Sequence, residues 1–145
     1  MKKMAAATAM LLLAVCLTGC GKDRFALPDN PVVFETGSFV NPDDPEDDFC
    51  SIEWDGRTYI LFGIEKKRTH FGQCLGYVKN DENRRIFAAD GLPETDYLIE
   101  YCTAGIMEQA VYLRCVDTRG EAPPEQLESY GYAFWESEPA DDTTA

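Results

Sequence analysis

The side chains of this sequence that are best able to do chemistry are six cysteines, a single histidine and a large excess of carboxylates. A thiol can be acylated, can pair with a second thiol in a disulfide, or can bind a metal ion. Which of these happens depends on the neighbours of the cysteine and on its compartment. Cys20 is the most informative of the six, because it directly follows Leu17-Thr18-Gly19 at the end of an apolar run.

Residues 1–19 have the layout of a secretory signal peptide, with two lysines, an apolar run from Met4 to Leu17 and small residues before Cys20. The apolar run is shorter than the roughly 20 residues of a membrane-spanning helix. Leu17-Thr18-Gly19-Cys20 resembles the lipobox of bacterial lipoproteins, in which the cysteine thiol is acylated and becomes the new N-terminus after cleavage. The resemblance implies lipidation of Cys20 by palmitate-type chains and attachment to the extracytoplasmic face of the cell membrane. The alternative is ordinary secretion, with cleavage after a nearby small residue.

The charge of the chain restricts its partners. Without Lys2 and Lys3 the chain keeps 11 basic against 26 acidic residues, a formal charge of −15. Nucleic-acid binding is disfavoured, since its affinity comes largely from Lys and Arg neutralising phosphates. Broad electrostatic contact with anionic lipid is disfavoured for the same reason, so contact with membrane lipid would depend on the acyl chains of Cys20.

Four cysteines remain after Cys16 leaves with the signal and Cys20 takes the lipid: Cys50, Cys74, Cys102 and Cys115. Outside the cytosol an even number of cysteines indicates disulfides, although the sequence does not choose among three connectivities. Short loops within neighbouring hairpins favour Cys50–Cys74 and Cys102–Cys115. A zinc site is disfavoured, because the gaps of 24, 28 and 13 residues contain no close pair. We therefore expect no metal and no cofactor.

Neither the histidine nor the carboxylates form a recognisable catalytic pattern, so no catalytic residue is predicted. His70 lies between two strand candidates and next to the basic segment 66–68, where a solvated loop is expected. The sequence has no nucleophile elbow around a serine. The acidic residues of 43–48 lack the spacing of a calcium loop. A hydrolase of cell-envelope material would need two buried carboxylates in one cleft, for example Glu53, Glu100 or another strand carboxylate, but no sequence pattern nominates a pair.

The chain divides by composition into four parts. Residues 1–19 are the signal peptide, and 20–48 are a lipidated cysteine and an acidic, proline-rich tether. Within the tether, the apolar stretches 32–34 and 37–40 are expected to form short edge strands on the domain. Residues 49–135 form a β-rich globular domain, and 136–145 form a disordered acidic tail.

Three hairpins are predicted in the globular domain. The strongest joins 50–54 to 57–62 through Asp55-Gly56, a dipeptide suited to a type I′ turn, and it sets Trp54 opposite Arg57. The second joins 73–78 to 84–88, and the third joins 97–102 to 110–116. One or two helical turns are expected over 123–130 and a last strand over 132–135. The predicted core is Ile52, Trp54, Tyr59, Leu61, Leu75, Tyr77, Ile86, Phe87, Leu98, Tyr101, Val111 and Leu113.

This pattern predicts a mainly β fold, a small antiparallel sheet that forms a barrel or a sandwich with at most one short helix. The leading functional hypothesis is a membrane-anchored, extracytoplasmic lipoprotein that binds a protein or glycan ligand and has no catalytic centre. Aromatic residues crowd the last third of the domain, and the segment from Tyr132 to Trp135 is the first candidate for an exposed ligand surface. The alternatives are a small envelope hydrolase and an inhibitor or immunity-type protein whose acidic surface blocks a basic partner.

Overall fold

Short β-rich runs separated by turn residues fold into a closed barrel. The computed structural model describes residues 23–66, 70–104 and 109–136. The strands are β1 (Val32–Asn41), β2 (Asp44–Trp54), β3 (Arg57–Glu65), β4 (Phe71–Val78), β5 (Asp81–Ala89), β6 (Tyr97–Cys102), β7 (Ala110–Cys115) and β8 (Glu128–Ser129). A 3₁₀ turn at Val116–Thr118 and a single helical turn, α1 (Ala133–Glu136), follow β7. The predicted fold class is confirmed.

Seven strands close the barrel in the order β2-β1-β4-β5-β6-β7-β3, and β3 pairs back onto β2. β8 continues along the same edge of β3 where β2 ends, opposite Gly63 and Ile64. All neighbours are antiparallel except β1 and β4, which run parallel over Val32–Phe34. The prediction of a purely antiparallel sheet is wrong at the β1–β4 pair. These two strands are distant in sequence and meet only where the barrel closes.

The β2–β3 hairpin forms as predicted. Trp54 lies opposite Arg57, and Ile52 lies opposite Tyr59. Asp55 and Gly56 have φ angles of 51° and 71°, as a type I′ turn requires. The other two predicted strand pairs also form, as β4–β5 and β6–β7. The connection between β4 and β5 is shorter than predicted, because Asn80 adopts a φ of 67° and Val78 already pairs with Asp81.

The predicted tether over 20–48 belongs to the barrel from residue 32 onward. The strands expected at 32–34 and 37–40 form, as the single barrel strand β1, but the tether prediction is wrong for the acidic run, which holds the turn into β2 and the start of β2. Alternation explains the difference: the acidic residues of this hairpin face water, while Phe39 and Phe49 pack against Phe134 with ring centroids 5.1 and 6.3 Å apart. An ion pair between Asp43 and Arg119 offsets part of the charge repulsion. Residues 1–22, with the predicted signal peptide and Cys20, lie outside the described residues.

Two apolar clusters stabilise the barrel, one inside it and one on its outer wall. The lumen core receives side chains from all seven strands: Phe34, Ile52, Tyr59, Leu75, Val78, Ile86, Leu98, Leu113 and Cys115. The outer core lies between the outer face of β3 to β7 and the segments that precede β1 and follow β7. Its buried residues on the strands are Ile60, Phe62, Phe71, Cys74, Phe87, Ala89, Tyr97, Ile99, Ala110 and Tyr112, and those after β7 are Leu127, Phe134 and Trp135. Part of the wall is therefore buried on both faces.

The predicted core takes one face of most strands, so the majority of its residues belong to the lumen core or pack against it. Five of its members are only partly buried: Trp54, Leu61, Tyr77, Tyr101 and Val111. The outer core is largely missed, because single-face alternation does not apply to strands that are covered on both sides.

The segment after β7 differs from its prediction. The expected helix over 123–130 is wrong: the Leu127 N–H bonds to the Pro124 carbonyl in a turn, and β8 then pairs with β3. The expected strand over 132–135 is the helical turn α1 instead. Trp135 fixes this turn on the wall, because its Nε1 donates to the Leu61 carbonyl at 2.9 Å. The predicted disordered tail lies outside the described residues from 137 onward.

The predicted disulfide Cys102–Cys115 is wrong, because the two cysteines lie at opposite ends of the β6–β7 ladder. The Cys115 N–H bonds to the Asp96 carbonyl at 2.8 Å. Cys102 lies six residues further along the chain from Asp96, about 20 Å away in an extended strand. A disulfide needs Cα atoms within about 7 Å of each other.

The predicted disulfide Cys50–Cys74 is wrong for a similar reason. Cys50 lies opposite Ser38 near one end of β1, whereas Cys74 precedes Gly76, which lies opposite Val32 at the other end. All four thiols within the described residues are free. Burial raises the pKa of the Cys74 and Cys115 thiols, which favours the protonated and unreactive form.

Candidate functional site

The lumen of the barrel is filled at one end and open at the other. At the filled end, the Phe34 and Trp54 rings pack with centroids 5.3 Å apart, and the Tyr59 hydroxyl donates to the Glu94 carbonyl at 2.9 Å. At the other end the inward side chains leave a cavity of about 480 Å³. That volume lies within the range of small-molecule sites in proteins.

The cavity combines an apolar wall with a few polar groups at its mouth. Its apolar side chains are Ile52, Leu61, Val111 and Leu113, and its polar side chains include Thr36, Cys50, Arg84 and Glu100. These residues belong to six of the seven barrel strands. An apolar cup with a small number of orienting polar groups is the usual form of a ligand site.

Arg84 and Glu100 are the charged groups of this cavity. Arg84 precedes inward-facing Ile86 by two residues, and Ile86 lies opposite Glu100 in the β5–β6 ladder. The two charged side chains are therefore diagonal neighbours on the inner face, and Arg84 Nε donates to Glu100 Oε1 at 2.7 Å. This hydrogen bond raises the pKa of Arg84, so the guanidinium stays charged at the mouth.

The pair leaves polar capacity for a ligand. A guanidinium has further N–H donors beyond Nε, and a carboxylate accepts several hydrogen bonds. The side chain of Arg84 is 35% exposed and that of Glu100 is 17% exposed, so both remain reachable from the mouth. The arrangement can hold a ligand whose apolar part enters the cup and whose polar head both accepts and donates hydrogen bonds.

Glu53 and Glu100, the two strand carboxylates named as examples for a hydrolase, are not brought together. Glu100 faces the lumen, whereas Glu53 lies between inward-facing Ile52 and Trp54 and so points outward. Glu53 accepts hydrogen bonds from the Ser51 hydroxyl at 2.6 Å and the Thr58 hydroxyl at 2.7 Å. The carboxylates therefore do not form the paired acids of a glycosidase site.

His70 lies between β3 and β4, where the sequence predicts a loop, and its side chain is partly exposed and not fully solvated. Its Nδ1 lies 2.8 Å from Oε2 of Glu65, a carboxylate whose side chain is only 1% exposed. The Tyr112 hydroxyl donates to the same oxygen. Burial and the hydrogen bond to Glu65 raise the pKa of Tyr112. These three residues line a second cleft, of about 300 Å³, on the outer wall of the barrel.

The other sequence candidates are dispersed. Of the aromatic surface expected over 132–135, Phe134 and Trp135 are buried in the outer core and Tyr132 is partly buried against it, while the neighbouring Tyr130 is 39% exposed. In the acidic run, Asp43 pairs with Arg119, and Asp47 accepts a hydrogen bond from the Asn41 amide. The sequence does not single out Arg84 or Glu65 as site residues, and it indicates Tyr112 only as one of many aromatic residues in the last third of the domain. Alternation with Ile86 could have indicated Arg84, but only once the strand pairs were known.

Comparisons with known proteins do not assign the chain to a family. The chain matches no protein-family model, no curated protein and no solved structure. Across 23–66, 70–104 and 109–136, no helix is both long enough and apolar enough to cross a membrane. The same ranges hold no group of three or more His, Cys, Asp or Glu side chains placed to bind a metal ion.

Proposed function

We propose that this protein is a lipid-anchored, extracytoplasmic binding module whose barrel lumen takes up a small amphipathic ligand. The observation that carries the proposal is the cavity of about 480 Å³, with an apolar wall and the Arg84–Glu100 pair at its mouth. A barrel of this size can fill its interior completely with side chains or hold one small ligand. In this barrel, side chains fill one half of the lumen, and the other half has room for a ligand.

The chemistry of the mouth narrows the ligand class. The Arg84–Glu100 pair is neutral as a unit, and the chain as a whole is strongly acidic. A ligand with several negative charges would be repelled by this field. A neutral head that accepts from Arg84 and donates to Glu100, such as an amide or hydroxyl group, fits both partners. The predicted protein or glycan ligand remains an expectation beside this narrower proposal.

Blocking the lumen is expected to abolish uptake of a small amphiphile. The probe is N-phenyl-1-naphthylamine, a neutral aromatic amine that fluoresces in apolar surroundings. Saturable binding with one site per chain is expected for the native protein. Val111→Trp places a large ring in the cavity and should weaken binding by at least about tenfold, equivalent to about 1.4 kcal/mol.

Val33→Trp is the matched control, because Val33 is 45% exposed on the barrel surface and takes the same substitution without touching the lumen. Circular dichroism establishes that both variants are folded. If the Val111 and Val33 variants bind the probe equally well, or the native protein shows no saturable binding, the lumen is not the ligand site.

The anchor is a separate part of the proposal and rests on the lipobox-like Leu17-Thr18-Gly19-Cys20. Cys20→Ser removes the thiol that would be acylated, so the chain is expected to lose incorporated fatty acid and to stop sedimenting with membrane vesicles. Mass spectrometry of the mature N-terminus and vesicle sedimentation measure these effects. Cys50→Ser is the control, since Cys50 is an exposed thiol of the folded barrel. Unchanged processing and sedimentation of the Cys20 variant would refute lipid anchoring.

A further inference from the structure

We propose that Glu65 and His70 form a carboxylate–imidazole dyad that hydrolyses small esters in the outer-wall cleft, at a site separate from the lumen. The first observation is the burial of Glu65. It lies opposite Ala110 near the end of β3, and the whole residue is 4% exposed. A buried carboxylate costs free energy that an apolar residue in the same wall would not cost. We explain the buried position of Glu65 by its hydrogen bonds with His70 and Tyr112.

The hydrogen bonds at Glu65 assign the tautomer of His70, that is, which ring nitrogen carries the hydrogen when the imidazole is neutral. Tyr112 keeps its proton, because burial raises the pKa of its hydroxyl, and that hydroxyl donates to Glu65 Oε2. The same oxygen lies 2.8 Å from His70 Nδ1. A carboxylate accepts both bonds, so Nδ1 carries a hydrogen and donates it. The basic lone pair of the neutral imidazole is then on Nε2, the arrangement that orients a general base.

The cleft offers room for a substrate beside His70. Besides the three residues of the hydrogen-bonded cluster, its lining includes Ile64, Lys66, Gln126 and Glu128. Lys66 and Glu128 pair with each other at 2.6 Å, so the Lys66 ammonium is directed to Glu128. The side chain of His70 is 35% exposed, which gives water access to the imidazole. The cleft of about 300 Å³ fits a small ester, and the acidity of the chain favours a neutral or cationic one.

The reaction is a general-base hydrolysis. His70 Nε2 takes a proton from a water molecule while the water oxygen bonds to the carbonyl carbon of the ester. Glu65 stabilises the imidazolium that forms, through the hydrogen bond to Nδ1. The imidazolium then returns the proton to the leaving oxygen as the carbon–oxygen bond breaks. The products are a carboxylic acid and an alcohol, and His70 is neutral again.

Because His70 is the only histidine of the chain, any effect of changing or modifying histidine is due to this residue. The purified full-length protein is assayed with p-nitrophenyl acetate. His70→Gln is expected to lower the hydrolysis rate by about 100-fold, the lower end of the usual contribution of a general base. Glu65→Gln is expected to lower it by at least about tenfold, since the base then loses the group that orients it. Glu53→Gln is the matched control. It removes a carboxylate that also accepts two hydroxyl hydrogen bonds, at a place outside the cleft.

Two further readouts keep the test decisive if a variant is unstable. Diethyl pyrocarbonate should modify His70 in the native protein and abolish hydrolysis in proportion to the one imidazole modified. Glu65→Asp should restore part of the rate that Glu65→Gln loses, because a carboxylate is again present to accept a hydrogen bond from His70 Nδ1. A native hydrolysis rate after full modification, or equal loss of rate in the Glu65 and Glu53 variants, would overturn the dyad.

Discussion

Replacing Arg114 with methionine is expected to lower the free energy of unfolding by about 2–4 kcal/mol, because it removes a buried guanidinium that donates three hydrogen bonds to neutral oxygen acceptors. Arg114 is 1% exposed on the outward face of β7. Its Nε donates to Thr118 Oγ1 at 2.8 Å, and Nη2 donates to the carbonyls of Thr118 and Glu121, both at 2.7 Å. Methionine fills much of the volume but leaves these buried acceptors without their donors.

The guanidinium also binds the end of the chain to the barrel. Its central carbon lies 4.7 Å from the centroid of the Trp135 ring and 5.2 Å from that of Phe62. Cation–π attraction of this kind is stronger where water is excluded. Loss of Arg114 should therefore loosen α1 as well as the turn after β7, and proteases should cut the segment after β7 faster.

Urea unfolding followed by tryptophan fluorescence measures the effect, because Trp135 reports on the Arg114 environment directly. Arg57→Met is the control with the same chemical change. Arg57 pairs only weakly with Asp55, whose side chain is 77% exposed, so a loss within about 0.5 kcal/mol is expected. A loss below about 1 kcal/mol for the Arg114 variant would show that the cluster does not hold the segment to the wall.

Local sequence signals predict the parts of this fold that local chemistry decides. Asp55-Gly56 specifies its hairpin because both residues reach positive φ at low cost, and the register of β2 and β3 follows from that turn. The β6–β7 pair follows from alternating apolar residues such as Leu98 and Leu113, which lie opposite each other. These elements need no information from the rest of the chain.

What the sequence does not predict depends on contacts between distant segments. The acidic hairpin of β1 and β2 looks unable to pack, yet Phe39 and Phe49 meet Phe134 from the far end of the chain. The Arg84–Glu100 pair can be inferred from alternation only after β5 and β6 are placed side by side. The cluster of Glu65, His70 and Tyr112 requires both the β3–β7 register and the return of the chain into β4.

Barrel closure itself gives the second large effect: Gly76→Ala is expected to lower the free energy of unfolding by about 3 kcal/mol, at the upper end for overpacking. A Cβ at Gly76 would lie 1.9 Å from the Val32 carbonyl oxygen and 2.6 Å from its nitrogen. Backbone atoms cannot rotate away as a side chain can. The parallel seam spans only three residue pairs, so the added methyl group separates β1 from β4 at the strand pair that closes the barrel.

Gly37→Ala provides the comparison within the same barrel. A Cβ at Gly37 would meet side-chain atoms first, Ser51 Oγ at 2.9 Å and Glu53 Oε1 at 3.1 Å, and both can move. A loss within about 1 kcal/mol is expected there. Urea unfolding gives the two free energies, and naphthylamine binding shows whether the lumen survives. If the Gly76 variant is as stable as the Gly37 variant, β1 does not close the barrel on β4. The cavity would then have a different wall, because Thr36 reaches the lumen only through the position of β1.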